Sequence, residues 1–260
     1  MPETGYAPIG DLRTYYEIHG EGRPTLLLPG AYMTTESMGP LLAPLARTRR
    51  VIALDPQGHG RTADIDRPIT YEQMADDAAA LAEHLGLDEV DVVGFSMGGG
   101  IGLQMAIRHR GLVRRAALAS ASFRYDGMYP ELIEMFPTIT PEMFAGSPME
   151  AEYKRLAPDP DGFENLVWKL KELDTTPFDW DISGVQAPVL LIVGDSDIIR
   201  LEHAVEMIRL LGGGRPGDMT GPAASQLAVL PGTTHFMPFG AGVLDRADWV
   251  VAMVERFLDA

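Results

Sequence analysis

The sequence predicts an α/β fold: an open, mostly parallel sheet with helices on its faces and a helical cap over one end. Three observations carry this. Six short apolar runs recur along the chain, most of them nearly continuous rather than alternating, as strands covered on both faces are. Longer segments with helical spacing separate them, and strand alternating with helix builds an open sheet through right-handed crossovers. Between Ser122 and Gly184 no strand-like run occurs, yet this 63-residue stretch holds ten of the chain's twenty aromatic residues.

In chain order, Arg13–His19 (RTYYEIH) with the turn at Gly20 and Gly22 reads as an antiparallel edge hairpin. Thr25–Pro29 (TLLLP) is the first buried run, followed by a helix over Glu36–Ala46 and a strand at Val51–Asp55 (VIALD). Tyr71–Leu85 is the clearest helix. Its apolar residues, from Tyr71 and Met74 to Ala82 and Leu85, step by three and four; Thr70 and Gln73 form a capping box, and Gly86 is a natural stop. Val90–Phe95 (VDVVGF) precedes a helix over Met97–His109, and Ala116–Ala121 (AALASA) is the next strand. The aromatic stretch, with seven prolines, reads as an insertion of short helices. Val189–Val193 (VLLIV), a helix over Leu201–Leu211, the run Gln226–Leu230 (QLAVL) and a helix over Asp245–Leu258 complete the sheet. Gly212–Ala224 (GGGRPGDMTGPAA) reads as a flexible surface loop. The core thus comprises residues 1–121 and 185–260, and the cap residues 122–184.

Composition narrows the function. At 260 residues, with 46% hydrophobic and 22% charged, the chain can bury a sizeable core, which excludes wholesale disorder. A net charge of −16 repels phosphate backbones and anionic lipid, which argues against nucleic-acid and membrane partners. There is no cysteine, so disulfides, thiolate metal sites and a thiol nucleophile are excluded. Aspartates and histidines are scattered rather than at ligand spacing, and no Walker or dinucleotide pattern occurs, so neither metal nor cofactor is expected. The opening MPETGYAPIG has no basic stretch followed by an apolar core, and no apolar run approaches a membrane span. The expectation is a soluble, cytoplasmic protein.

Gly94-Phe95-Ser96-Met97-Gly98 is a G-x-S-x-G pentapeptide between a strand run and a helical one. In that setting the serine sits on a tight, strained turn with its Oγ projecting from the sheet edge, and the small residues two positions either side avoid collision. The helix starting there turns its free N–H groups and positive dipole end toward any oxyanion formed. A serine hydroxyl needs a base, and the base an orienting acid. His19, His59, His84, His109, His203 and His235 compete for the first role. His235 alone follows the last strand run, at the carboxyl edge where ligands collect in open α/β sheets; by itself it is equally a surface-loop histidine. For the acid, Val193-Gly194-Asp195-Ser196-Asp197 offers two carboxylates.

With these residues in view, nearly the whole chain resembles the α/β-hydrolase superfamily. The resemblance rests on Gly-Phe-Ser-Met-Gly-Gly, on Leu28-Pro29-Gly30, on the Asp55-Pro56-Gln57-Gly58-His59-Gly60-Arg61-Thr62 turn, and on the order of elements. Within the superfamily the chain is similar to small carboxylesterases and cofactor-free haloperoxidase-type perhydrolases. The resemblance implies an eight-stranded, mostly parallel sheet with the cap inserted after the sixth strand. It implies Ser96 as nucleophile, His235 as base and Asp197 as acid, with Asp195 left to a turn or helix cap. The oxyanion hole would be the backbone N–H groups of Met97 and, by position, Ala31. Here the chain departs from the common pattern, with Pro29-Gly30 in place of His-Gly.

Serine at position 96, where dehalogenases and most epoxide hydrolases of the superfamily have aspartate, directs the chemistry to acyl transfer. The resemblance implies a serine hydrolase that cleaves small to medium apolar carboxylic esters through an acyl-serine. The alternatives are perhydrolysis or C–C bond hydrolysis on the same three groups, or a ligand receptor of the same fold. Tyr32, Phe123, Met128, Phe136, Phe144, Trp168, Phe178 and Phe236 are candidates to line the substrate pocket, with Tyr125, Tyr129, Met135, Trp180 and Phe239 as further aromatic and methionine neighbours.

Overall fold

The apolar runs form the centre of an eight-stranded sheet in a computed structural model that describes residues 2–236 and 240–260. The strands are β1 (Glu3–Ile9), β2 (Leu12–His19), β3 (Arg23–Leu28), β4 (Arg49–Leu54), β5 (Val90–Phe95), β6 (Val113–Ala119), β7 (Val189–Ser196) and β8 (Gln226–Thr234). The helices are α1 (Gly39–Leu45), α2 (Tyr71–His84), α3 (Met97–Arg108), α4 (Pro130–Met135), α5 (Pro148–Leu156), α6 (Phe163–Thr175), α7 (Leu201–Leu210) and α8 (Ala247–Leu258). The strand order is β1-β2-β4-β3-β5-β6-β7-β8. The β1–β2 and β2–β4 pairs are antiparallel and all other neighbours are parallel.

Side-chain alternation explains the continuous apolar runs. Leu26 and Leu28, Val92, Ala116 and Leu118, and Leu191 and Val193 point to the face covered by α2, α3 and α7. The residues between them, Leu27, Val93, Ala117, Leu190 and Ile192, pack against α1 and α8 on the other face. A strand buried on both sides has no position for a polar residue, except where a specific partner waits.

Three local readings of the sequence are corrected. The edge hairpin joins β2 to β1, not to the strand after Gly22; the Gly20–Gly22 turn carries the chain past β4 to β3. β1 is hidden in the sequence because ETGYAPI contains glycine and proline, which strands tolerate best at a sheet edge. The helix read over Glu36–Ala46 begins only at Gly39, where Pro40 fits the first turn; Thr34 and Ser37 side chains hold the preceding residues in turns. The capping box of α2 is half formed. Thr70 Oγ1 accepts from the Gln73 N–H at 3.1 Å, but the Gln73 side chain reaches forward to Asp77.

Residues 122–184 contain α4, α5, α6 and short 3-10 turns, and lie between β6 and β7 in the chain. Where this segment leaves and rejoins the sheet its two ends are hydrogen-bonded, Tyr125 N–H to Phe178 O at 2.8 Å and Trp180 N–H to Phe123 O at 2.9 Å. Phe163, Leu166, Val167, Leu170 and Leu173 form the buried face of α6.

Candidate active site

Ser96 stands between β5 and α3 with φ 55° and ψ −118°, a conformation that side chains rarely adopt. Such backbone costs about 1–3 kcal/mol and persists only where its surroundings enforce it. The flanking glycines enforce it by close approach. A Cβ on Gly94 would lie 2.2 Å from the Gly98 carbonyl oxygen, and one on Gly98 would lie 2.1 Å from that of Leu28. The space they spare is therefore that of backbone on α3 and β3, not of the serine itself. Tyr32 (φ 62°) and Ser120 (φ 55°) are the other non-glycine residues with positive φ among those described, and both line the same cavity as Ser96.

Ser96 Oγ lies 2.9 Å from His235 Nε2, and His235 Nδ1 lies 2.8 Å from Asp197 Oδ1. The three come from the ends of β5, β7 and β8, and parallel pairing brings those ends to one edge of the sheet. The imidazole stacks on Phe95, with ring centroids 5.2 Å apart. Asp197 is buried and fully engaged: Oδ1 also accepts from Ile198 N–H at 2.7 Å, and Oδ2 from Ser120 Oγ at 2.6 Å and Gly194 N–H at 3.1 Å. Burial alone would raise its pKa; the His235 hydrogen bond and charge, with Ser120 and Gly194, outweigh burial and hold the carboxyl below its ordinary value. Ionised Asp197 fixes the tautomer with hydrogen on Nδ1, leaving Nε2 free to accept from the serine. Such a chain can activate a hydroxyl for attack on an acyl carbon.

The competing residues are otherwise employed. Asp195 is exposed and accepts from the Gly232 and Thr233 N–H groups at 2.9 and 3.1 Å, tying the ends of β7 and β8 together. His19 and His109 pair with Glu17 and Asp76, and His84 is exposed. His59 is buried, and burial pushes its pKa down to about 4; Nδ1 meets Gln57 O. A second serine–histidine pair has its serine in the cavity wall: Ser122 Oγ lies 2.9 Å from His203 Nε2. It lacks what the first pair has. Ser122 Oγ is drawn to the Arg124 carbonyl at 2.5 Å, and among the described residues nothing bonds His203 Nδ1. Burial keeps His203 neutral, with its pKa pushed down to about 4.

Ala31 and Met97 line the cavity beside Ser96. The loop carrying Ala31 is fastened through Asp55, whose Oδ1 accepts from Thr35 N–H at 2.7 Å and Oδ2 from Arg61 N–H at 2.9 Å. Burial pushes the Asp55 carboxyl up to about 6 despite these donors. The glycine-rich turn after β4 thus holds the loop after β3.

The cavity measures about 490 Å³ and opens at the carboxyl ends of β3, β5, β6, β7 and β8. Of the residues expected there, Tyr32, Met128, Phe136, Phe144, Phe178 and Phe236 line it, as do Tyr125 and Met135. Phe123 and Trp168 do not. Phe123 is buried beneath, stacked on His203 with ring centroids 4.5 Å apart. Trp168 lies on the outer side of α6, 42% exposed, its Nε1–H directed to Glu164. Tyr129 is likewise exposed, and Trp180 stands behind Phe178, stacked on it at 4.4 Å. Phe239 lies outside the described residues. Sequence reasoning missed Tyr71, on α2, and Asp174, on α6. Asp174 had a signal: it follows Val167 and Leu170 at helical spacing, a charge where the α6 pattern calls for an apolar residue.

Among the described residues no cluster of three or more His, Asp or Glu is placed to hold a metal ion, and no helix is long and apolar enough to cross a membrane.

The sheet and the strained strand-to-helix serine define a hydrolase of the α/β class. The chain belongs to the alpha/beta hydrolase fold family, whose model matches residues 23–167. It is 33% identical over 130 residues to the putative carbamate hydrolase RutD of Azorhizobium caulinodans, covering 50% of this chain and 49% of that protein, so it spans about half the length of that relative. It is 27% identical over 254 residues to a non-heme haloperoxidase of Rhodococcus erythropolis, covering 86% of this chain and 89% of that one. Among solved structures, the enol-lactonase from Burkholderia xenovorans LB400 superposes with a TM-score of 0.72 at 21% identity, over 98% of this chain and 100% of that one, a likeness of fold.

Proposed function

We propose that this hydrolase cleaves small to medium carboxylic esters of largely apolar body through an acyl-serine intermediate, with Ser96 as nucleophile, His235 as base and Asp197 as orienting acid. The observation that carries the reading is the hydrogen-bonded chain Ser96 Oγ–His235 Nε2 and His235 Nδ1–Asp197 Oδ1, opening onto a largely apolar cavity. His235 Nε2 takes the Ser96 proton as Oγ attacks the ester carbonyl carbon. The tetrahedral oxyanion accepts from the backbone N–H groups of Met97 and Ala31. Collapse expels the alcohol, which His235 protonates; water then enters, gives its proton to His235, and releases the acid. Asp197 stays ionised throughout and stabilises the imidazolium.

A fluorophosphonate probe tests this directly. The adduct is expected on the peptide containing Gly94–Gly98, and Ser96→Ala is expected to abolish both labelling and turnover of p-nitrophenyl butyrate. Labelling elsewhere with full activity in Ser96→Ala would remove the reading.

The haloperoxidase relative, matched over most of both chains, favours one second reading: hydrogen peroxide in place of water, releasing a peracid from the same acyl-serine. Peracid formation outpacing ester hydrolysis at equal nucleophile concentration would favour it.

A further inference from the structure

Asp174 lies one residue before the end of α6 and lines the cavity that Ser96 and His235 share. It is the only carboxylate among the described lining residues, which include no lysine or arginine. Its backbone carbonyl accepts from Tyr125 Oη at 3.0 Å, but among the described residues no hydrogen bond or ion pair reaches its side-chain oxygens. Burial pushes the carboxyl up to about 7. The carboxyl end of a helix, with its partial negative charge, is also the unfavourable end for an acid. The free protein therefore holds an uncompensated acid in the wall of its cavity.

Its surroundings indicate what compensates it. Tyr32, Tyr71 and Tyr125 border the same space, and the buried Tyr32 hydroxyl has no partner among the described residues. Phe178 adds a further ring, with centroids 5.8 Å from Tyr71 and 6.0 Å from Tyr125. A carboxylate among aromatic faces receives an ammonium group through charge pairing and the ring quadrupoles together. A neutral donor would leave the carboxylate's charge uncancelled. The net charge of −16 concentrates cations around the molecule as a whole.

We propose that Asp174 is a specificity-determining residue that selects esters with a positively charged amino group on the acyl chain, away from the scissile carbonyl. The acyl chain is the part concerned because it stays in the cavity through both half-reactions. This rests on the serine-esterase reading above and narrows its substrate class.

The test compares p-nitrophenyl 6-aminohexanoate with p-nitrophenyl heptanoate, which differ by an ammonium in place of a terminal methyl. On the full chain at pH 8 the ratio of kcat/KM, amino over alkyl, is expected to exceed one, and Asp174→Asn to lower it at least about tenfold, the order of a single charge-assisted contact. A ratio of one or less in the unaltered chain, or one unmoved by Asp174→Asn, overturns the proposal. Calorimetric binding of hexylammonium against 1-hexanol to the unaltered chain gives a second readout that needs neither turnover nor the variant. Tighter binding of the amine supports the proposal, and equal or weaker binding overturns it. Ser96-dependent hydrolysis of the heptanoate without amine preference would remove the amine proposal alone, whereas hydrolysis of neither ester would remove the esterase reading and leave the binding measurement to decide this one.

Discussion

The two ends of β5 handle buried charge in opposite ways. At the amino end Asp91, wholly buried, accepts from Arg49 Nη1 at 3.0 Å and from Arg114 Nε and Nη2 at 2.8 Å each. At the carboxyl end Ser96 reaches buried Asp197 through His235. Arginine keeps its charge wherever the protein is folded, so Asp91, set between two of them, rivets β4, β5 and β6 together. Asp197 instead faces an imidazole whose other ring nitrogen meets the Ser96 hydroxyl. The partner, more than burial, separates a carboxylate that anchors the fold from one that orients an imidazole toward a hydroxyl. Asp174, whose side chain has no partner among the described residues, is a third case.

Substitutions at the two ends should separate activity from stability. The largest effect is expected at Ser96→Ala, which should lower kcat/KM for a p-nitrophenyl ester on the order of 10⁵-fold while leaving the melting temperature nearly unchanged. Asp197→Asn should cost about 10⁴-fold in kcat by stabilising the wrong tautomer, and the double variant should be no slower than Ser96→Ala alone, because the groups act as one unit. Asp91→Ala inverts the pattern. Chemical denaturation should show a loss of about 3 kcal/mol, because buried Arg49 and partly buried Arg114 lose the carboxylate between them and keep only Asp259 and the Leu258 carbonyl, with kcat of the folded protein within twofold. An Asp91→Ala protein that stayed stable but lost activity would break the comparison.

Asp174→Asn sharpens it through pH. The folded-state pKa of Asp174 is raised, so its protonated form fits the fold; stability is present below the ordinary aspartate range and is lost as pH rises toward about 7. Asparagine escapes that loss. The variant should match the unaltered protein at pH 3 and exceed it at pH 8.5, by about 2 kcal/mol after allowing for solvent in the cavity. The smallest effect is expected at Trp168→Ala, on the outer side of α6: within about 0.5 kcal/mol in stability and twofold in kcat/KM.

The sheet was legible because burial on both faces writes continuous apolar runs; the ends of those runs put Ser96, His235 and the two aspartates Asp195 and Asp197 at one edge, and the choice of His235 and Asp197 rested on the family resemblance. β1 was not legible, since a Gly- and Pro-containing edge strand takes its order from its neighbour. Nor was the direction of the aromatic side chains in the insertion. Phe123 and Trp168 read like Phe136 and Phe144, and only the packing of short helices decides which faces inward. Asp174 was readable from the periodicity of α6, but only once the helix was known to begin at Phe163.

The two backbone hydrogen bonds joining Tyr125 to Phe178 and Trp180 to Phe123 close the neck of the insertion like a clasp. Beyond that clasp the segment is tied to the core again, with Glu152 accepting from Ser37 Oγ at 2.8 Å and Lys169 donating to Asp64 at 2.6 Å. A segment grafted from another protein between residues 125 and 178 would meet the same junction but would have to rebuild those ties before it could sit in the same place.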